Sequence, residues 1–153
     1  MLYLDSSALV KHYAREAGTD AVSARCRSGE RICTSALTYA EILAALGRKL
    51  RDNEFTAGEF EAAKARFLSD WVTSVEKLAL DTQTLGAIAH LVTRYKVRAS
   101  DAVHLSAALW LQDKALAAGS TPPGESLEFG VADQKLAAIA AECGLRVFNP
   151  ELS

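Results

Sequence analysis

The chain alternates short apolar runs with longer stretches in which apolar residues recur at helical spacing. Leu2-Tyr3-Leu4 stops abruptly at Asp5-Ser6-Ser7, polar residues able to cap a helix that continues through Leu9, Val10 and Tyr13. A second helical stretch surrounds Val22, and Ile32-Cys33-Thr34 is again short and β-prone. Tyr39, Ile42, Leu43, Leu46 and Leu50 predict a helix opening at Thr38; Thr56 with Glu59 opens another through Phe60, Ala63, Phe67 and Trp71. Leu85, Ile88, Ala89 and Val92 predict a further helix after Asp81-Thr82. Ala102–Leu111 is apolar almost all round, the pattern of a helix covered on several sides. Gly119–Gly124 is the one clear loop. Leu127–Val131 then predicts a strand leading to Asp133. Leu136, Ile139, Ala140 and Cys143 predict a helix stopped by Gly144, and Arg146-Val147-Phe148 a last strand. Short strands separated by helices imply an α/β fold, a parallel sheet covered on both faces.

At 153 residues the chain is expected to be a single domain, residues 1–153, with a core of its own. Half of it is hydrophobic and 24% charged, which excludes a disordered or repetitive polymer. The 17 Lys and Arg against 19 Asp and Glu give a net charge of −2. A protein held to nucleic acid by its overall field is strongly basic, so any such role here is local. No apolar stretch approaches the roughly 20 residues of a membrane span, and the N-terminus has no signal-peptide pattern. Cys26, Cys33 and Cys143 show no CxxC spacing. They read as small buried residues in a reduced, cytoplasmic compartment, with no zinc site.

Ligands in open parallel sheets bind at the carboxyl ends of the strands. Asp5 ends the first predicted strand, Glu41 lies in the first turn after the second, Asp101 begins the apolar helix, and Asp133 follows a later strand. Each has a plain structural role open to it. Asp5 and Asp101 can be helix caps, Glu41 can complete a capping box with Thr38, and Asp133 can be a surface loop acid. Together they are costly: two carboxylates about 4 Å apart repel by roughly 4 kcal/mol at an effective dielectric of about 20. A hard divalent cation such as Mg²⁺ or Mn²⁺ relieves that repulsion and can polarise a phosphodiester and activate water.

Four segments resemble the acidic motifs of PIN-domain nucleases, specifically VapC-type toxin ribonucleases of toxin–antitoxin pairs. They are Leu4–Lys11, Thr34–Glu41, Arg98–Leu105 and Phe129–Leu136, the last running on to Gly144-Leu145 and Asn149-Pro150. Order, spacing and flanks match over nearly the whole chain. The resemblance implies a three-layer PIN-like fold. It implies that Asp5, Glu41, Asp101 and Asp133 are the catalytic residues and hold Mg²⁺ or Mn²⁺, and that activated water cleaves RNA without a covalent intermediate. It also implies a homodimer, and a helical clip at about residues 38–71 that receives an antitoxin. One position departs from the pattern. A Thr or Ser is common two residues before the fourth acid, and here Val131 stands there. Ser6 can supply a hydroxyl instead, or simply cap its helix.

Among the other polar residues, His104 lies three positions after Asp101, on the same helical face. It is read first as a packed, hydrogen-bonded histidine, with ligation or proton transfer as the alternative. His12 and His90 are read as surface residues. Arg94, Lys96 and Arg98 are either an RNA phosphate contact beside the pocket or a solvated turn. Trp71, Trp110, Phe60 and Phe67 have the spacing of packing residues. Two other functions remain open: phosphoryl transfer through an aspartyl phosphate at Asp5, and a PIN-like RNA-binding or assembly module without catalysis. Ser7 stands where aspartyl-phosphate enzymes usually carry a second acid. Setting the four acids aside turns the chain's acidic excess into a small basic one.

Overall fold

The structure is a computed structural model and describes residues 1–119 and 127–152. Five strands, β1 (Leu2–Leu4), β2 (Ile32–Ser35), β3 (Val75–Leu78), β4 (Glu128–Gly130) and β5 (Arg146–Phe148), form one parallel sheet in the order β3-β2-β1-β4-β5. Among the described residues seven helices flank it: α1 (Ser6–Leu9), α2 (Thr19–Arg27), α3 (Thr38–Arg51), α4 (Ala57–Thr73), α5 (Ile88–Arg94), α6 (Ala99–Ala117) and α7 (Gln134–Glu142). The α/β class and the parallel sheet flanked by helices are as the sequence pattern implies. The Gly119–Gly124 loop falls, beyond its first residue, outside the described residues.

β1 explains why the chain opens on an unbroken apolar run. Successive side chains of a strand point to opposite faces, and both faces of this central strand are covered. Leu2 and Leu4 join Leu9, Val22, Ile42, Leu46 and Phe67 in one core layer. Tyr3 enters the other, with Leu105, Ala108, Phe129, Leu136 and Ala140. All three strand residues are fully buried, and each large apolar side chain so buried contributes about 1.5–3 kcal/mol. Gly130 in β4 allows the close approach. A Cβ there would run into the Leu4 side chain and crowd Phe148.

Helix starts follow local chemistry. Thr56 accepts the Glu59 N–H at 3.2 Å while the Glu59 carboxylate accepts the Thr56 N–H at 2.8 Å, the reciprocal box that the spacing predicts. α1 is a single turn that tightens into a 3₁₀ turn at Val10–His12.

Two elements differ from the sequence pattern. β3 carries no apolar alternation, because it is an edge strand: only Val75 is buried, while Glu76 pairs with Arg31 at the surface. Backbone pairing to β2 makes it a strand. The helix expected from Leu85 begins only at Ile88, because the Asp81 carboxylate accepts the Gln83 and Thr84 N–H groups and holds a turn ahead of it. Leu91 anchors α5, and Val92 is left exposed.

The chain steps outward from β1 through β2 to β3, then crosses back to place β4 and β5 on β1's other side. The strand order therefore reverses between β1 and β4. Such a switch point opens a crevice at the carboxyl ends of the strands, and Asp5 and Asp133 lie just beyond those two ends. No helix among the described residues is long and apolar enough to cross a membrane.

Candidate active site

Asp5 is the first residue beyond β1. Its carboxylate caps α1 by accepting the Ala8 N–H at 2.9 Å. It also accepts the Ser7 hydroxyl, 2.7 Å from Oδ1 and 3.0 Å from Oδ2. Ser7 in turn accepts the Ala132 N–H at 3.0 Å, so one hydroxyl links the ends of β1 and β4. The Asp5 N–H donates to the Gly130 carbonyl at 3.0 Å. The aspartate is only 4% exposed. Burial pushes its pKa up to about 6 and the Asp101 charge adds to the rise, while His104, Ser7 and Ala8 oppose it.

Asp101 lies in the first turn of α6 but does not cap it; Arg98 occupies the cap position. Burial raises the Asp101 pKa, and the nearby Asp133 charge raises it further against the Arg98 backbone N–H and guanidinium. Asp133 is the exposed member of the set. It caps α7, accepting the Lys135 and Leu136 N–H groups through Oδ1 at 2.8 and 3.0 Å. It is thus a helix cap, not an idle loop acid.

Glu41 sits in the first turn of α3, but the capping box with Thr38 does not form. Leu37 precedes the helix without a side-chain cap. The Thr38 hydroxyl lies instead 2.7 Å from that of Thr34, which donates to the Leu4 carbonyl at 2.6 Å. Glu41 Oε2 lies 2.7 Å from His104 Nε2. Burial works against its charge, but the His104 contact and the Ser6 and Ser100 hydroxyls outweigh it and hold Glu41 below the usual carboxylate range.

Electrostatics thus couples Asp5 to Asp101 and Asp101 to Asp133, while Glu41 is engaged by His104, which also faces Asp5 and Asp101. Ser6 sends its hydroxyl to Glu41. Val131 is fully buried, so the hydroxyl missing from that position has no stand-in there; Ser7 is the hydroxyl that reaches this corner. Arg94, Lys96 and Arg98 are exposed. The Arg94 guanidinium packs on Tyr95, and Arg98 is the one whose charge reaches an acid of the site.

His12 is not the surface residue expected. It is held between α2 and α4, with Nδ1 2.8 Å from the Ser23 hydroxyl and Nε2 3.7 Å from Asp70. His90 is exposed and His104 is packed, as expected. Phe67 and Trp71 pack against one another and Tyr39. The three cysteines are free. Burial pushes the Cys26 thiol up to about 11 and the Cys33 thiol up to about 12, so neither is a nucleophile at neutral pH. Sequence reasoning missed Ser7, Ser100 and Tyr3 as site residues. Tyr3 looked purely apolar, and only its alternation against Leu2 and Leu4 hinted that it faces another layer.

Whether these acids suit a hard cation turns on their donor chemistry. Every candidate ligand is a carboxylate oxygen, and burial with mutual repulsion keeps the Asp5 and Asp101 pKa values raised in spite of His104 and Arg98. Among the described residues no three His, Cys, Asp or Glu side chains are gathered closely enough to hold an ion by themselves. A hard cation that keeps several of its waters needs only one or two carboxylates directly.

A family model described as the PIN domain matches residues 2–120. Two proteins of Mycobacterium tuberculosis, Ribonuclease VapC45 and Ribonuclease VapC49, are each 32% identical over 154 aligned positions, covering 99% of this chain and 97% of the relative. Among solved structures, FitAcB from Neisseria gonorrhoeae superposes with a TM-score of 0.68 at 17% identity, and a toxin–antitoxin complex from Klebsiella pneumoniae with 0.59 at 14%. Each covers 98% of both chains. At those identities the two structures speak for the fold alone.

Proposed function

The chain belongs to the PIN-domain family, and from that premise we propose that it is a metal-dependent endoribonuclease, the toxin of a toxin–antitoxin pair. The observation that carries this reading is full-length similarity to two ribonucleases, together with Asp5, Glu41, Asp101 and Asp133 at the carboxyl edge of one sheet. In this proposal Asp5 and Asp101 hold Mg²⁺ or Mn²⁺, with Glu41 and Asp133 completing the pocket. Such an ion, when bound, supplies Lewis-acid polarisation of a phosphodiester and lowers the pKa of water.

The chain's own residues divide the remaining work. Ser7 and the Ala8 N–H hold the Asp5 carboxylate in one orientation. Without an ion, burial raises the Asp5 pKa to about 6, so its carboxylate is charged and ready to meet a cation only above that pH. Arg98, with Arg94 and Lys96 further along the same surface, would hold RNA phosphates without reading sequence. In this reading activated water attacks the phosphodiester directly, without a covalent intermediate. The proposal extends to a single PIN domain over residues 1–153, to a cytoplasmic site of action, and to a homodimer. The clip of α3 and α4, at about residues 38–71, would receive the antitoxin as an amphipathic segment lying in a groove.

Incubating the purified protein with single-stranded RNA tests this. Cleavage should require Mg²⁺ or Mn²⁺, stop with EDTA, and be lost in Asp5→Asn and Asp101→Asn. Unchanged cleavage by both variants overturns the pocket. Folded protein that binds RNA and never cuts it favours the non-catalytic module.

A further inference from the structure

Behind Glu41 lies a chain of hydrogen bonds that the proposed chemistry does not itself require. Tyr3, in the middle of β1, is fully buried, and its ring stacks on Phe129 at 5.6 Å between centroids. Its hydroxyl oxygen lies 3.0 Å from His104 Nδ1. His104 is 2% exposed and stands edge-on to that ring. Its other nitrogen, Nε2, lies 2.7 Å from Glu41 Oε2.

The roles follow from satisfying buried donors. A phenol carries its proton at neutral pH, and the acceptor facing the Tyr3 O–H is Nδ1. With the ring neutral, its hydrogen then sits on Nε2 and is donated to Glu41. Both ring nitrogens are then engaged, which leaves no lone pair with which His104 could ligate a cation. Glu41 and His104 also belong to opposite layers. The residues of α3 pack with Leu2 and Leu4, those of α6 with Tyr3, so this bond crosses the carboxyl edge of the sheet between them.

We propose that His104 is a positioning residue for the metal pocket, its tautomer fixed by Tyr3 and its Nε2–H holding the Glu41 carboxylate in the orientation that a divalent cation needs. A glutamate has three side-chain torsions, and anchoring one oxygen selects among them before the ion arrives. Partners of this kind are worth about 10-fold or more in metal affinity when removed from ligating side chains. The inference rests on the metal-pocket reading above.

Mn²⁺ binding, followed by the EPR signal of the free ion, tests it without reference to cleavage. His104→Leu should bind Mn²⁺ about 10-fold or more weakly than wild type while keeping its far-ultraviolet circular dichroism, and His104→Gln, which restores an N–H, should recover most of the loss. In a Glu41→Gln background, His104→Leu should weaken binding no further, since the histidine acts through that carboxylate. Should the leucine variant fail to fold, Tyr3→Phe leaves both rings in place and removes only the phenol. It should weaken Mn²⁺ binding and release the imidazole ¹⁵N shifts from a pure Nε2–H pattern. Binding equal to wild type in His104→Leu, or in Tyr3→Phe where that is the variant used, overturns the proposal. Wild type that binds no Mn²⁺ overturns the metal pocket itself, and this role with it.

Discussion

The Ser7 hydroxyl donates to the Asp5 carboxylate, 2.7 Å from Oδ1, while accepting the Ala132 N–H at 3.0 Å. A two-residue separation in sequence thus closes the junction between two adjacent parallel strands, at the place where the strand order reverses.

Ser7→Ala removes both bonds at once. The Ala132 N–H is left without its acceptor, and Asp5 without a donor that stabilises its charge. Stranding such groups costs about 1–3 kcal/mol, so urea denaturation at neutral pH should show a destabilisation of that order. RNA cleavage should fall with it, because the carboxylate is freed to turn. Unchanged stability would mean that water replaces the hydroxyl.

Asp5 makes stability fall as pH rises. Its folded pKa, about 6, lies above the value of an unfolded aspartate, about 4. The folded state therefore holds the proton more tightly. The cost of burying the charge is absent below pH 4, grows between pH 4 and 6, and is complete above pH 6. A shift of that size corresponds to ~3 kcal/mol. In metal-free protein, Asp5→Asn should gain stability relative to wild type by about that amount between pH 4 and pH 7. Asparagine keeps an oxygen for the α1 cap. A gap that stays constant with pH would show that Asp5 is solvated.

Mn²⁺ or Mg²⁺ should act in the opposite direction. An ion that binds only the folded state stabilises it by about 2.7 kcal/mol at 100 times its dissociation constant. Thermal melts at pH 7.5 should rise with added Mn²⁺ and return with EDTA, and Asp101→Asn should abolish most of the rise. The increment should shrink towards pH 5, where Asp5 takes up its proton.

Gly130→Ala tests the seam of the sheet. The new methyl would collide with the Leu4 side chain and crowd Phe148 at 3.3 Å. Overpacking of this kind costs about 1–3 kcal/mol. Because Gly130 also accepts the Asp5 N–H, activity should suffer more than that drop in stability explains. Denaturation and cleavage rates measured on one preparation separate the two.

Arg98→Gln should weaken RNA binding with little effect on folding, since the residue is exposed. Taking away one cation that neutralises a phosphate reduces the slope of log affinity against log salt by roughly 1. A salt titration of binding to single-stranded RNA reads this directly. Arg94→Gln should do less, because its guanidinium is spent on Tyr95.

Much of the fold was written in local pattern. The apolar runs at β1, β2, β4 and β5, the Thr56–Glu59 box and the nearly all-apolar α6 each follow from periodicity and capping chemistry that act within a few residues. So does the placement of Asp5, Asp101 and Asp133 at strand ends and helix starts. β3 was hidden because an edge strand needs no apolar alternation, and its partner β2 is some forty residues away in the chain.

What only the tertiary structure decided is which polar groups meet. Thr38 and Glu41 have the spacing of a capping box, yet burial against β2 gives Thr38 to Thr34 and leaves Glu41 to His104. Tyr3 reads as one more apolar strand residue until the second core layer sets His104 over its hydroxyl. Ser7 reads as a helix-cap neighbour until β4 brings Ala132 beside it. Short-range preferences decide where a helix begins. The partner of a buried hydroxyl or carboxylate is decided by which distant segment closes over it, because a buried polar group must find its bond wherever the packing offers one.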